Sequence, residues 1–361
     1  MRILLATGGS GGHMFPALRT ALVLRARGHE VVFAGALSAG QAGLAALEAK
    51  IKDEGFACHR IDAAGLSTRT PWGLAAWMAA TAKAFGRARQ IVRDIHPDKV
   101  LGFGGYGSFP VAAAAWAGQI PLMIHEQNVM PGKANRVMAL MAKRIAVTFA
   151  ASERYFSASK TVHTGCPCHQ IAPSVAKEAL RLKFGLDPVD PVILILGGSQ
   201  GSQRLNGLVF EMLTFLGTKV QAIHMTGRHD HPVYAVKYRK AGLRVKACAF
   251  LSPIEEAYAA ADMVIARAGA ATVCELAAFA LPSVLVPYPF AGGHQQYNAA
   301  VLSDVGAAVL LEEKNCTPEL LKQTVENILT QPVIPGTMRA RTQKIFVPDA
   351  PQRLAQALED L

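Results

Sequence analysis

The apolar run Ile3-Leu4-Leu5-Ala6 leads straight into Gly8-Gly9-Ser10-Gly11-Gly12-His13. The pattern returns in the back half, where Val192 to Leu196 lead into Gly197-Gly198-Ser199-Gln200-Gly201-Ser202. A short apolar run ended by glycines and followed by a helical stretch reads as a buried strand, a tight loop and a helix. That unit aims backbone N–H groups and the positive end of a helix at a phosphate. Two such places predict two nucleotide-binding-type α/β domains.

Strand and helix signals alternate almost throughout, which predicts parallel sheets with helices on both faces. Strands are expected at 3–6, 30–34, 99–103, 121–125 and 145–148, then at 192–196, 220–225, 243–248, 263–266, 283–286 and 307–311. A first helix is expected from Phe15 to Arg27, closed by Gly28, and another at 318–330, with Thr317 as N-cap and Pro318 behind it. The chain's 361 residues, 51% of them hydrophobic, can fill two cores. Thr164-Gly165-Cys166-Pro167 interrupts the alternation and sets domains of 1–163 and 164–340, with a final helix at about 341–361 packed back on the first. A cleft between the halves is the expected ligand site.

A formal charge of +11 suits an anionic partner: a nucleotide diphosphate, an acidic membrane surface or nucleic acid. Nucleic acid is disfavoured, because aromatics make up only 7% of the chain and form no base-stacking series. The six cysteines show no repeated spacing, so a reduced, intracellular protein is expected. A strand signal at the first residues, with no charged leader and cleavage site, gives no expectation of secretion, and the longest apolar run, Val111 to Ile124, is broken by Gly118 and Pro121.

Each motif has a functional and a plain reading. Gly8 to His13 lacks the Lys-Ser/Thr ending of a P-loop, while Glu30 lies near the acidic offset of a dinucleotide fingerprint, so an NAD-dependent dehydrogenase stays open beside a structural turn. A third glycine segment, Gly102 to Pro110, again joins strand to helix. His125-Glu126-Gln127-Asn128 closes a strand where α/β folds place ligands, and offers partners for sugar hydroxyls; the alternative is a solvated loop. Arg267 to Glu275 follows the strand at 263–266; Glu275 suits ribose hydroxyls, but Thr272-x-x-Glu275 also spells a capping box. Gln295 and Gln296 suit hexose hydroxyls or open an ordinary helix. His163, Cys166, Cys168 and His169 crowd together, but Cys-x-Cys spacing argues against zinc. Between Trp72 and Phe85, Leu74, Trp77, Met78 and Phe85 share a helical face near Lys83, Arg87 and Arg89, which reads as core packing or as a patch for anionic lipid.

In order and spacing, Gly8 to Pro16, Gly102 to Tyr106, His125 to Asn128 with Gly132 and Asn135, Gly197 to Gly201, and Arg267 to Glu275 with Gln295-Gln296 resemble the MurG-type transferases of glycosyltransferase family 28. The resemblance runs from residue 1 to about 311. It implies a GT-B fold, two Rossmann-like doubly wound domains with parallel sheets facing a deep cleft. It also implies an inverting transfer of N-acetylglucosamine from UDP-GlcNAc to the muramyl 4-hydroxyl of lipid I, with no obligatory metal or other cofactor. The expected location is the cytoplasmic membrane face, peripherally bound to anionic inner-membrane lipids, in contact with other cell-wall synthesis and division proteins. By similarity, Leu251 lies near uracil, Glu275 on ribose, Ser199 and Gln200 at the diphosphate, and Gln295 and Gln296 on the sugar. Gly9, Gly104, Gly105 and Tyr106 face the acceptor pyrophosphate, with Ser10, Gly11, Gly12 and Asn128 also in contact with substrate.

An inverting displacement needs a base for the attacking hydroxyl and stabilisation of departing UDP. His13 is the first base candidate, with Glu126 and His125 as alternatives, and Arg267 with the glycine-loop amides faces the leaving diphosphate. The family's Asn-Pro-Val-Arg after Thr-Gly is replaced by Cys166-Pro167-Cys168-His169, putting His169 where an arginine would meet the donor phosphate. A related GT-B glycolipid synthase acting on another lipid is the nearest rival reading.

Overall fold

The structure, a computed structural model, describes residues 1–37, 42–63, 70–168, 175–198, 200–331 and 333–361. The chain divides into two compact units, Met1–Cys168 with Val347–Leu361, and His169–Phe346. The division falls a few residues beyond 163, and the returning tail starts at 347 rather than 341.

The first unit runs β1 (Arg2–Thr7), α1 (Gly11–Ala26), β2 (Glu30–Gly35), α2 (Ala42–Asp53), β3 (Ala57–Arg60), α3 (Pro71–Ile95), β4 (Lys99–Gly102), α4 (Phe109–Ala117), β5 (Leu122–Glu126), α5 (Lys133–Met141), β6 (Arg144–Val147) and β7 (Thr161–His163). Its parallel sheet has the order β3-β2-β1-β4-β5-β6-β7. Alternate residues of one strand face opposite sides. Ile3 and Leu5 therefore enter a core with Met14, Leu18 and Leu24 of α1, while Leu4 and Ala6 meet Ala88 and Ile91 of α3 and Val111 and Ala115 of α4. Strands buried on both faces are mostly apolar, which is why runs such as Ile3–Ala6 and Val192–Leu196 are unbroken in the sequence.

The second unit runs α6 (Lys177–Lys183), β8 (Val192–Leu196), α7 (Gln203–Leu216), β9 (Gln221–Met225), α8 (His231–Lys240), β10 (Val245–Cys248), α9 (Ile254–Ala260), β11 (Met263–Ala266), α10 (Ala270–Ala278), β12 (Ser283–Leu285), α11 (His294–Ser303), β13 (Ala308–Leu310), α12 (Pro318–Thr330) and α13 (Val333–Gln343). Its parallel sheet is ordered β10-β9-β8-β11-β12-β13. Thr317 caps α12 through its side chain, which accepts from the Leu320 N–H.

The last helix, α14 (Ala350–Glu359), returns to the first unit, where Leu354 and Leu358 join the α1 core. Glu359 pairs with Arg27 at 2.6 Å and with His29 at 2.7 Å. Lys99 donates to the Leu358 and Glu359 carbonyls and Arg144 to that of Ala357, so cations meet the negative end of the helix.

Two local expectations are corrected. The first helix begins at Gly11 rather than Phe15: Ser10 is its extended N-cap, and the N–H groups of His13 and Met14 both donate to the Ser10 carbonyl. Gly11 and Gly12 lie in the first turn and not in the helix interior, where glycine's conformational freedom costs most. The stripe on α3 is not uniform. Phe85 packs against the core, Trp77 is half-buried, and Trp72, Leu74 and Met78 are exposed.

Candidate active site

In each unit the strand order reverses direction once, between β1 and β4 in the first and between β8 and β11 in the second. Helices leave opposite sheet faces there, so the loops at the strand carboxyl ends splay apart and leave room for a ligand. The glycine motifs occupy these positions.

In the first unit, the loops after β1 and β4 press together. A Cβ on Gly8 would lie 2.6 Å from the Gly104 carbonyl oxygen and 2.7 Å from the Gly105 Cα. Gly105 itself has φ +79°, and a Cβ there would come within 3.3 Å of the His13 ring. Bare backbone at 8, 104 and 105 thus brings the imidazole on the first turn of α1 against the second loop. Ser10 Oγ is bonded to His13 Nδ1 at 2.6 Å, while Nε2 has no partner among the described residues. Desolvation lowers the His13 pKa to about 4, so the ring is neutral at pH 7. Ser10 and Gly12 are exposed, Gly9 and Gly11 partly so, and the Tyr106 side chain stands 56% exposed on the second loop.

The other two base candidates are occupied within the protein. Both ring nitrogens of buried His125 are bonded, Nε2 to the Gly165 carbonyl at 3.0 Å and Nδ1 to the Gln127 amide at 3.1 Å. Burial lowers its pKa to about 4, which fixes the neutral ring. Glu126 Oε1 accepts from the Asn128 N–H (2.8 Å) and Nδ2 (3.3 Å), and Oε2 from the Gly132 N–H (3.1 Å) and Asn135 Nδ2 (2.7 Å). Burial raises its pKa while these donors oppose the rise. Glu126 therefore braces the loop that carries Asn128 into α5.

In the second unit, Gly201 has φ +79°, and a Cβ there would lie 2.2 Å from the Thr226 carbonyl oxygen, so the loop after β8 rests on the loop after β9. Ser202 caps α7, its Oγ accepting from the Leu205 N–H at 3.5 Å. Gln200 is exposed. Ser199 and His169 lie outside the described residues. Arg267 is 6% exposed and spans several loops. Its Nη1 donates to the Val286 (3.1 Å) and Pro287 (3.3 Å) carbonyls and pairs with Glu313, and its Nη2 donates to Ser202 Oγ at 2.7 Å. The Arg267 charge is thus already met by a carboxylate.

Glu275 is buried on α10, where its Oε2 accepts from the Tyr258 hydroxyl at 2.8 Å. The expected capping box does not form: Gly269 is the N-cap, and Thr272 falls inside the helix. Leu251 is buried in the loop after β10. Gln295 Oε1 accepts from the Ala268 (3.1 Å) and Tyr288 (2.9 Å) N–H groups, tying the loop after β11 to that after β12. Exposed Gln296 is bonded to Glu312 and lines a cavity of about 540 Å³ with Arg204, Tyr288, Phe290, Glu313 and Lys314. Sequence reasoning did not single out Tyr258 or Glu313; no motif links either to a partner so far away in the chain. No group of three or more potential metal ligands occurs among the described residues.

Residues 3–147 match the glycosyltransferase family 28 N-terminal domain, and residues 192–354 match the family 28 C-terminal domain. A UDP-N-acetylglucosamine–N-acetylmuramyl-(pentapeptide) pyrophosphoryl-undecaprenol N-acetylglucosamine transferase of Thermodesulfovibrio yellowstonii is 34% identical, covering 100% of this chain and 99% of its own. The protein of the same name from Moorella thermoacetica is also 34% identical, covering 99% of this chain and 98% of its own. Among solved structures, Acinetobacter baumannii MurG superposes with a TM-score of 0.76 at 28% identity, covering 100% of this chain and 99% of that one. The calicheamicin glycosyltransferase CalG4 shares the fold, with a TM-score of 0.69 at 16% identity over 99% of this chain and 97% of that one. Two doubly wound parallel units with glycine loops at their switch points, matched over nearly their whole length, place this chain in glycosyltransferase family 28, with the GT-B fold.

Proposed function

We propose that this chain is a UDP-N-acetylglucosamine-dependent hexosyltransferase of peptidoglycan synthesis. It moves N-acetylglucosamine to the muramyl 4-hydroxyl of undecaprenyl-pyrophosphoryl-MurNAc-pentapeptide, inverting the anomeric carbon. The observation that carries the reading is full-length similarity to transferases of that name, joined to glycine loops at both switch points.

The second unit takes the donor. Glu275, held by Tyr258, accepts from the ribose hydroxyls, Leu251 packs at the uracil, and Gln200 with the amides before α7 receives the diphosphate. Gln296 and the amide nitrogen of Gln295 address the sugar. Stabilisation of departing UDP falls to oriented N–H groups and the amino end of α7, since the Arg267 charge is paired. The loops at 8–12 and 104–106 of the first unit receive the acceptor pyrophosphate, and Asn128 faces the sugars. His13 is the base: neutral at pH 7, its Nε2, which has no partner among the described residues, takes the attacking hydroxyl's proton, whereas His125 and Glu126 are saturated by internal bonds.

The acceptor's lipid implies work at a membrane surface. No described helix is long and apolar enough to cross one. Trp72, Leu74 and Met78 on α3 and Val137 and Leu140 on α5 are exposed, with Lys83, Arg87, Lys133 and Arg136 exposed on the same two helices. Apolar side chains edged by cations suit peripheral binding to an anionic leaflet. The deciding experiment is radiolabel transfer from UDP-N-acetylglucosamine to a short-chain lipid I analogue. No transfer to it, with transfer to diacylglycerol, would establish the rival glycolipid synthase.

A further inference from the structure

We propose that Glu313 is a positioning residue for the donor site. It has no place among the motifs, and it acts through Arg267. This inference rests on the assignment of the second unit to the donor.

Arg267 belongs to the loop after β11, its Nη2 holds Ser202 of the loop after β8, and its Nη1 holds the Val286 and Pro287 carbonyls after β12. One planar guanidinium thus gathers three strand ends, and its geometry fixes their mutual spacing. Its acceptors in those loops are all neutral, while the group is 6% exposed. A buried cation holding only neutral acceptors is costly and tends to pull toward water. Glu313, from the segment after β13 and with its side chain 10% exposed, supplies the compensating charge. Glu313 is itself tethered by Arg204, whose Nε lies 3.4 Å from Oε1 and whose Nη2 donates to the Glu313 carbonyl at 3.2 Å. The loops so fixed carry Gln200, the α7 amino end and, through the Gln295 bonds to Ala268 and Tyr288, the residues assigned to the sugar. Removing the charge while keeping the shape should loosen donor loops and leave the acceptor loops of the other unit untouched.

The test compares the native chain with Glu313→Gln and Glu313→Asp. UDP binding is titrated calorimetrically, and initial rates are measured separately against UDP-N-acetylglucosamine and a short-chain lipid I analogue. Glu313→Gln is expected to raise the UDP Kd and donor KM by about tenfold with the acceptor KM unchanged, and Glu313→Asp to recover most of that loss. An unchanged donor KM in Glu313→Gln, or equal rises in both KM values, would overturn the proposal. So would loss of the folding transition in both variants, which would make the pair plain stabilisation. Failure of the native chain to bind UDP would refute the donor assignment itself, a result separate from any difference among variants.

Discussion

Replacing Gly8 with alanine tests how the two loops of the first unit are held together. The added methyl would lie 2.6 Å from the Gly104 oxygen and 2.7 Å from the Gly105 Cα, and ordinary Cβ contacts begin near 3.4 Å. Both obstacles are backbone, so no side chain can swing aside and the loops must part by roughly 0.8 Å, the difference between 3.4 and 2.6. Overpacking of this kind costs about 1–3 kcal/mol. The functional cost is larger, because the shift moves His13 relative to the loop it rests on, and misplacement approaching 1 Å can cost about 10²-fold in rate. Gly8→Ala is therefore expected to cut turnover about a hundredfold while leaving UDP affinity intact. Gly28→Ala is the control: its φ of +82° imposes a backbone strain that Gly8 does not carry, but no atom lies within 4 Å of the new methyl. It should lose about 1 kcal/mol of stability and keep its turnover. Transfer rates, with amide exchange of the segments around residues 8–14 and 102–108, measure both effects. Turnover of Gly8→Ala within twofold of Gly28→Ala would refute the argument.

If His13 is the base, His13→Ala should lower turnover far more than UDP affinity, and the acid-side fall of kcat/KM, which desolvation of the ring shifts below the ordinary imidazole range, should vanish in His13→Ala; the same acid limb in the variant would remove His13 from the role. Buried His125 and His224, with pKa values lowered to about 4 and about 3, favour the folded state fully above pH 6.5 and lose that contribution as the unfolded chain takes up protons below it. Denaturant unfolding should show a loss that steepens from about 0.7 toward about 1.4 kcal/mol per pH unit for each ring as the pH falls from 6.5 to 5, and a flat profile there would contradict their burial as neutral rings. Trp72→Ser combined with Met78→Ser should reduce sedimentation with anionic vesicles without changing transfer to a short-chain acceptor; undiminished sedimentation would exclude this patch.

The interior strands were readable because burial on both faces leaves them uninterrupted apolar runs. β3 and β7 were not, since edge strands such as Ala57–Arg60 and Thr161–His163 are only partly covered and carry mixed residues. Gly11 and Gly12 read as loop, because glycine disfavours helix interiors and the sequence does not reveal that these two lie in a first turn. The placement of the motifs at strand ends was legible, as at Gly8, Asn128, Gln200 and Arg267. What each side chain does there was not. The bonds that saturate His125 come from Gly165 and Gln127, and the charge that meets Arg267 comes from Glu313, pairings set by tertiary packing alone.

The return of α14 to the first unit bears on how the protein is made. Leu354 and Leu358 complete the core built on α1, and Glu359 binds Arg27 and His29, yet these residues are synthesised after the whole second unit. On the ribosome the earlier half must wait, with part of its apolar interior uncovered, until the final turns clear the exit tunnel. Fragments that stop near residue 168 would inherit that gap and be prone to aggregate, so the amino-terminal half is best expressed with the closing helix supplied as a fused or separate segment.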